Sequence, residues 1–229
     1  MTVLNQIRLI LILLLGASFG SFLSLAVTRT NARTGICFPA SHCEWCHHFL
    51  APLDLIPILS WLFLRGRCRY CQHPISKLSW LAECSLGFCF LLIALRYPIG
   101  SWHIYPYCQA TLLTVLALQD WTTRSFSSWC LALLALSSAI VTQRWLALGL
   151  FILFWLLLDK CAGRLRLIGE GDLLFFGYVW LSSSFYQTAL VIFIASGFLL
   201  VLGFIYHPKS RYLPFIPALA MACEVVLQL

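Results

Sequence analysis

The sequence predicts an all-α polytopic membrane protein of about eight transmembrane helices, with a small cytoplasmic zinc-binding insert between helices 1 and 2. Three observations carry this. The 229 residues are 61% hydrophobic and only 10% charged, more apolar than a soluble domain of this length needs. The apolar segments are continuous and not alternating, which suits helices, whose backbone groups are satisfied within the segment, and not a barrel. One long polar stretch, residues 28–77, interrupts the pattern.

Apolar runs cover residues 9–27, 78–95, 104–119, 127–141, 145–158, 173–185, 188–206 and 213–229. The first holds Gly16, Ala17, Ser18, Gly20 and Ser21 in its middle and not at a terminal cleavage site. A retained helix is expected there, with small residues for close packing, and not a signal peptide. The fourth, fifth and sixth runs are shorter than the ~20 residues of a full span, so six spans also fit. The organisation expected is a first transmembrane helix (1–27), a four-cysteine zinc loop (28–77) and a transmembrane domain carrying the acidic residues (78–229).

Basic residues test the topology. With the N-terminus outside and eight helices alternating, the inside loops hold 12 of the 15 Lys and Arg, and the outside regions only Arg8, Arg96 and Arg144. The positive-inside rule favours this orientation. It also brings Asp120 and Asp172 to the same, cytoplasmic, face. The net charge of +7 follows from the asymmetry. No nucleic-acid partner is expected, because the charge is spread over several loops.

The insert contains Cys43-Glu-Trp-Cys46 and Cys68-Arg-Tyr-Cys71. Two such pairs, 21 residues apart, suit a tetrahedral zinc site of four cysteines in which each knuckle offers two thiolates. Metal then supplies folding energy to a segment too small for a large core. Disulfides are disfavoured in a reducing compartment. His42, His47 and His48 crowd the first knuckle as competing ligands or as a solvated face. Cys37 and Cys161 read as loop residues, and the helical cysteines as small hydrophobes.

Asp120 ends the third run, in Gln119-Asp120-Trp121, and Asp172 closes Gly169-Glu170-Gly171-Asp172 before the sixth. A carboxylate near hydrocarbon marks a functional site by default. Two held close cannot both ionise easily, so one acts as acid and the other as base, the logic of an aspartyl protease. Gly169 and Gly171 allow a sharp turn ahead of the helix. Helix capping alone accounts for Asp172 but not for Asp120, which sits where the helix dipole disfavours an anion. Glu83 lies within reach of basic loop residues, Asp54 is placed to order the zinc loop or meet a substrate amine, and Glu224 has no obvious partner.

Taken in order, these residues resemble the type IV prepilin peptidases, membrane aspartyl proteases with a GxGD motif. Gly16-Ala-Ser-Phe-Gly-Ser-Phe-Leu23 with Arg29 is similar to the family's first helix. Residues 41–46 and 54–71, from Asp54-Leu-Ile-Pro57 through Ser60-Trp61 to Cys71, look like its cysteine loop. Ile75, Ser76 and Glu83 match its second-helix entry, Asp120 and Gly169–Asp172 its two aspartate motifs, and Pro214-Phe-Ile-Pro217 the opening of its last helix. The resemblance implies cleavage of the basic leader of prepilins or pseudopilins, on the cytoplasmic side of a bacterial inner membrane and after a glycine. Asp120 and Asp172 are then catalytic, zinc is structural, and the new N-terminus is methylated from S-adenosylmethionine in many members. The short length and compact cysteine loop look like the competence-type enzymes of Gram-positive bacteria.

The chain departs from the pattern at three places. It has Arg124-Ser-Phe-Ser-Ser where Leu-Pro-Asp often follows the first aspartate, Leu174 where a lysine often stands, and Glu44 where the first knuckle usually has proline. The competing classes are a non-enzymatic membrane scaffold with a zinc-ribbon insert, a proton-relay transporter and a thiol oxidoreductase. The transporter lacks a clear inverted repeat, and the CxxC spacing suits metal better than redox.

Overall fold

The computed structural model describes residues 3–38, 40–97, 104–124, 127–161, 170–206 and 215–228. Every apolar run falls largely on a helix. In chain order these are α1 (Val3–Asn31), α2 (Leu59–Phe63), α3 (Lys77–Arg96), α4 (Ile104–Thr123), α5 (Ser128–Thr142), α6 (Trp145–Cys161), α7 (Glu170–Ser182), α8 (Phe185–Tyr206) and α9 (Ile216–Gln228). Among the described residues there is no strand, only two isolated bridges in the insert. Two helices, α1 and α3, are long and apolar enough to cross a membrane by length and composition, and four more are shorter apolar helices. Contacts divide the chain into two units, Met1–His103 and Ile104–Leu229.

In the first unit α1 and α3 pack antiparallel. Gly16, Ala17, Gly20, Ser24 and Val27 form a buried stripe on α1, and α3 answers with Ala82, Leu86, Gly87, Phe90 and Ile93. The backbones nearly touch: a Cβ on Gly20 would lie 2.4 Å from the carbonyl oxygen of Ala82. Ser24 Oγ donates to Ser79 Oγ at 3.0 Å, and Arg8 donates to the Ala94 carbonyl at 2.7 Å. A Gly20→Leu substitution therefore has no low-energy fit. Thermal unfolding in detergent is expected to show a loss of about 2–3 kcal/mol, the cost of overpacking a tight contact.

The second unit is a bundle in which α4 packs on α5 and α9, while α7 touches α5, α6, α8 and α9. Leu113, Leu116, Leu134, Phe175, Tyr178 and Leu219 form its buried centre. Gln109 Nε2 donates to the Tyr178 hydroxyl at 2.8 Å, tying α4 to α7. Apolar side chains also stay exposed along the outside, among them Leu133, Leu136 and Ile140 on α5 and Leu153, Leu156 and Leu157 on α6. An apolar exterior of this extent is unusual in a water-soluble bundle.

Two sequence boundaries shift. The sixth run was expected to reach residue 185, yet α7 ends at Ser182 and α8 starts at Phe185. Ser184 and Gln187 explain it: each accepts the other's backbone N–H, at 3.3 and 3.1 Å, the reciprocal cap that opens a helix. Cys161, expected in a loop, is instead the last residue of α6.

Candidate active site and metal centre

Asp120 lies in the last turn of α4 and Asp172 in the first turn of α7. Both are half-buried, and the Asp120 charge acts through space on the Asp172 carboxyl. Both acids belong to the second unit. α7 already begins at Glu170, so Gly171 is helical and not part of a turn before the helix, and Asp172 sits inside the first turn and not at its cap. Gly169 lies outside the described residues.

The placement of Asp120 at a helix C-terminus has a structural answer. The backbone N–H of Ile216, the first residue of α9, donates to Asp120 Oδ2 at 3.3 Å. Arg124 follows four residues on. The positive end of one helix thus offsets the negative end of another. The surroundings are braced: Gln119 Oε1 accepts the Ser127 N–H at 3.0 Å, closing the connection to α5, and Phe215 packs edge-on against Phe176 of α7. At the far end of α7, Arg144 donates to the Ser183 carbonyl at 2.6 Å.

The first unit holds the cysteines. The Sγ atoms of Cys43, Cys46, Cys68 and Cys71 all lie within 4.8 Å of one another, and Cys43 and Cys71 are 3.8 Å apart. Sulfurs placed tetrahedrally about 2.3 Å from one ion stand about 3.8 Å apart, so the set fits a four-coordinate metal. That separation is far too long for a disulfide.

The knuckles are copies of each other, shifted by 25 residues so that Cys43 falls on Cys68. Cys43 N–H donates to the His48 carbonyl and Cys68 N–H to that of His73; His47 and Gln72 N–H return to the carbonyls of the two cysteines. The bridges His42 to Phe49 and Arg67 to Pro74 repeat as well, as do positive φ angles at His47 and Gln72. Desolvation opposes ionisation at Cys43, but N–H groups of Cys46 and Trp45 and the neighbouring thiols bring it down to about 7. The His73 N–H favours the Cys71 thiolate, yet desolvation and three adjacent sulfurs outweigh it and push Cys71 up to about 12. Four thiols this close do not all deprotonate without a cation among them.

The histidines have other work. His42 Nδ1 meets the Ala40 carbonyl at 2.8 Å, His48 packs on Tyr70, and His73 stacks on Trp45 at 4.4 Å. Cys37 is exposed and outside the cluster. Asp54 orders the loop, as one of its two expected roles: Arg69, between the second pair of cysteines, donates to its Oδ1 at 2.6 and 2.9 Å. Glu83 accepts the Ile58 N–H at 2.7 Å and faces Ser79, and so ties the loop to α3. Glu224 is buried with Oε1 unpartnered among the described residues.

Sequence reasoning missed the α9 N–H that meets Asp120 and the Gln109–Tyr178 link, since neither has a local signature. It also missed the repeated knuckle, which the 25-residue offset between the CxxC pairs does signal.

Residues 14–97 match the family described as Bacterial Peptidase A24 N-terminal domain. The chain is 40% identical over 111 residues to a protein of Myxococcus xanthus named prepilin leader peptidase/N-methyltransferase, covering 48% of this chain and 33% of that protein. It is 34% identical over 111 residues to the protein of that name in Bacillus subtilis, covering 48% and 44%. For the one in Klebsiella pneumoniae the figures are 35% over 115 residues, 48% and 50%. The chain thus spans half or less of the length of these relatives. No solved structure matches.

Proposed function

We propose that this chain, a relative of the prepilin leader peptidases, is a multi-pass aspartyl endopeptidase of the bacterial cytoplasmic membrane. Its substrates are prepilins or pseudopilins, cleaved on the cytoplasmic side. The observation that carries the reading is that Asp120, in the last turn of α4, lies near enough to Asp172, in the first turn of α7, for its charge to bear on that carboxyl. The basic residues support the orientation, since they gather on the face that the positive-inside rule makes cytoplasmic.

The chemistry follows from the pair. One carboxylate takes a proton from a water held between them. That water attacks the scissile carbonyl, and the other, protonated, carboxyl donates to the oxyanion and then to the leaving amine. Asp120 accepts the Ile216 N–H, and on that contact we assign it as the base and Asp172 as the acid in the first step. The four cysteines hold zinc, which supplies fold to the module and no open coordination position for water. The relatives' names also pair leader peptidase with N-methyltransferase, and on that ground methylation of the new N-terminus from S-adenosylmethionine belongs to the proposal.

Co-expression with candidate prepilins, followed by mass spectrometry of their mature N-termini, tests scission and methyl addition together. Intact leaders throughout would reject the reading. The α9 contact has its own test. Ile216→Pro removes the donated N–H at a position where proline suits a helix start, and Ile216→Val keeps it. Losing a hydrogen bond to a charged group costs about 1.5–3 kcal/mol, so cleavage by the proline variant is expected to slow by roughly 10–100-fold. The valine variant stays near the parent rate.

A further inference from the structure

We propose that the apolar surface of residues 53–63, in the cysteine-rich module, lies in the headgroup layer of an anionic bilayer. The inference rests on the reading that α1 and α3 cross a membrane. The insert is polar in composition, yet this stretch presents Leu53, Leu55, Leu59, Leu62 and Phe63 outward, with Phe63 82% exposed. A cluster of this kind on a small module is not expected to face water.

Its depth is set by two tethers. The Ile58 N–H is bound to Glu83 at 2.7 Å, and Trp61 stacks on Trp80 with ring centroids 4.6 Å apart. Glu83 is six residues into α3, which begins at Lys77, so it lies about 9 Å along the helix from that start. The segment therefore hangs beside the second turn of α3 and not beyond its end. Interfacial apolar segments sit about 5–10 Å into the boundary between headgroups and chains, so the depth agrees.

Charge selects the lipid. Arg65, Arg67 and Lys77 are exposed around the patch. The side chain of its own acid, Asp54, is 2% exposed and paired with Arg69. The rim is thus net basic and complements anionic headgroups.

The test uses the full chain in bilayers, with Phe63→p-benzoylphenylalanine as a photocrosslinking probe and Leu11→p-benzoylphenylalanine, on an exposed position of α1, as the membrane control. Lipid adducts are expected at both positions. At 63 their yield is expected to be at least about threefold higher in phosphatidylglycerol-containing bilayers than in pure phosphatidylcholine, and Arg65→Gln with Lys77→Gln should erase that difference. Lipid adducts at 11 with only peptide adducts, or none, at 63 would overturn the inference and assign the patch to a protein contact. Equal yields at 63 in the two lipids would overturn its anionic part. No lipid adducts at either position would instead overturn the membrane reading itself.

Discussion

Asp120→Asn and Asp172→Asn are each expected to reduce prepilin cleavage by at least ~10³-fold, in line with the contribution of a positioned acid or base and the non-additivity of groups that act together. The amide keeps the size and polarity of the side chain but neither takes nor carries the proton. The double variant should be no worse than either single one. Immunoblots for uncleaved prepilin, read beside the amount of enzyme in the membrane fraction, separate lost chemistry from lost protein. Substantial activity in either single variant would remove the aspartyl mechanism. It would leave a membrane scaffold with a metal-held insert, which needs the cysteines and not the acids.

The second large effect concerns the metal. Purified protein is expected to carry one zinc per chain. Cys46→Ser or Cys68→Ser should lose it, and trypsin should then cut within the module at Arg65, Arg67 and Arg69. Structural zinc contributes on the order of 10 kcal/mol of apparent binding energy near pH 7, more than a module of this size is expected to hold in reserve. The pH dependence has a definite sign. Thiols must give up protons to ligate, with Cys43 at about 7 and Cys71 at about 12 in the metal-free cluster. Protons therefore compete with zinc, and acidification weakens binding. Elemental analysis after dialysis at stepped pH checks this. Metal retained better at low pH than at neutrality would contradict thiolate ligation.

Much of this was legible along the chain. The apolar runs set the helices because each segment satisfies its own backbone. The paired CxxC spacing marked the metal cluster, since two knuckles with a return segment between them bring four sulfurs together with little help from elsewhere. Helix ends were less legible. The Ser184–Gln187 cap divides what hydropathy alone reads as nearly continuous, because a two-residue exchange of hydrogen bonds outweighs the apolar pattern around it. The partner of Glu83 was not legible either: the Ile58 N–H meets it, because the loop folds back along α3.

The order of residues alone determined which segments are helical, which four cysteines gather and which two acids stand at helix ends. Only the tertiary structure decided that Asp120 meets the opening N–H of α9, that Asp172 feels the Asp120 charge, and that an apolar edge of the cysteine module hangs beside α3. The first set follows from local periodicity and short spacings. The second depends on residues about 25 to nearly 100 positions apart, and where the partner is a backbone N–H, as at Ile58 and Ile216, side-chain identity carries no trace of it.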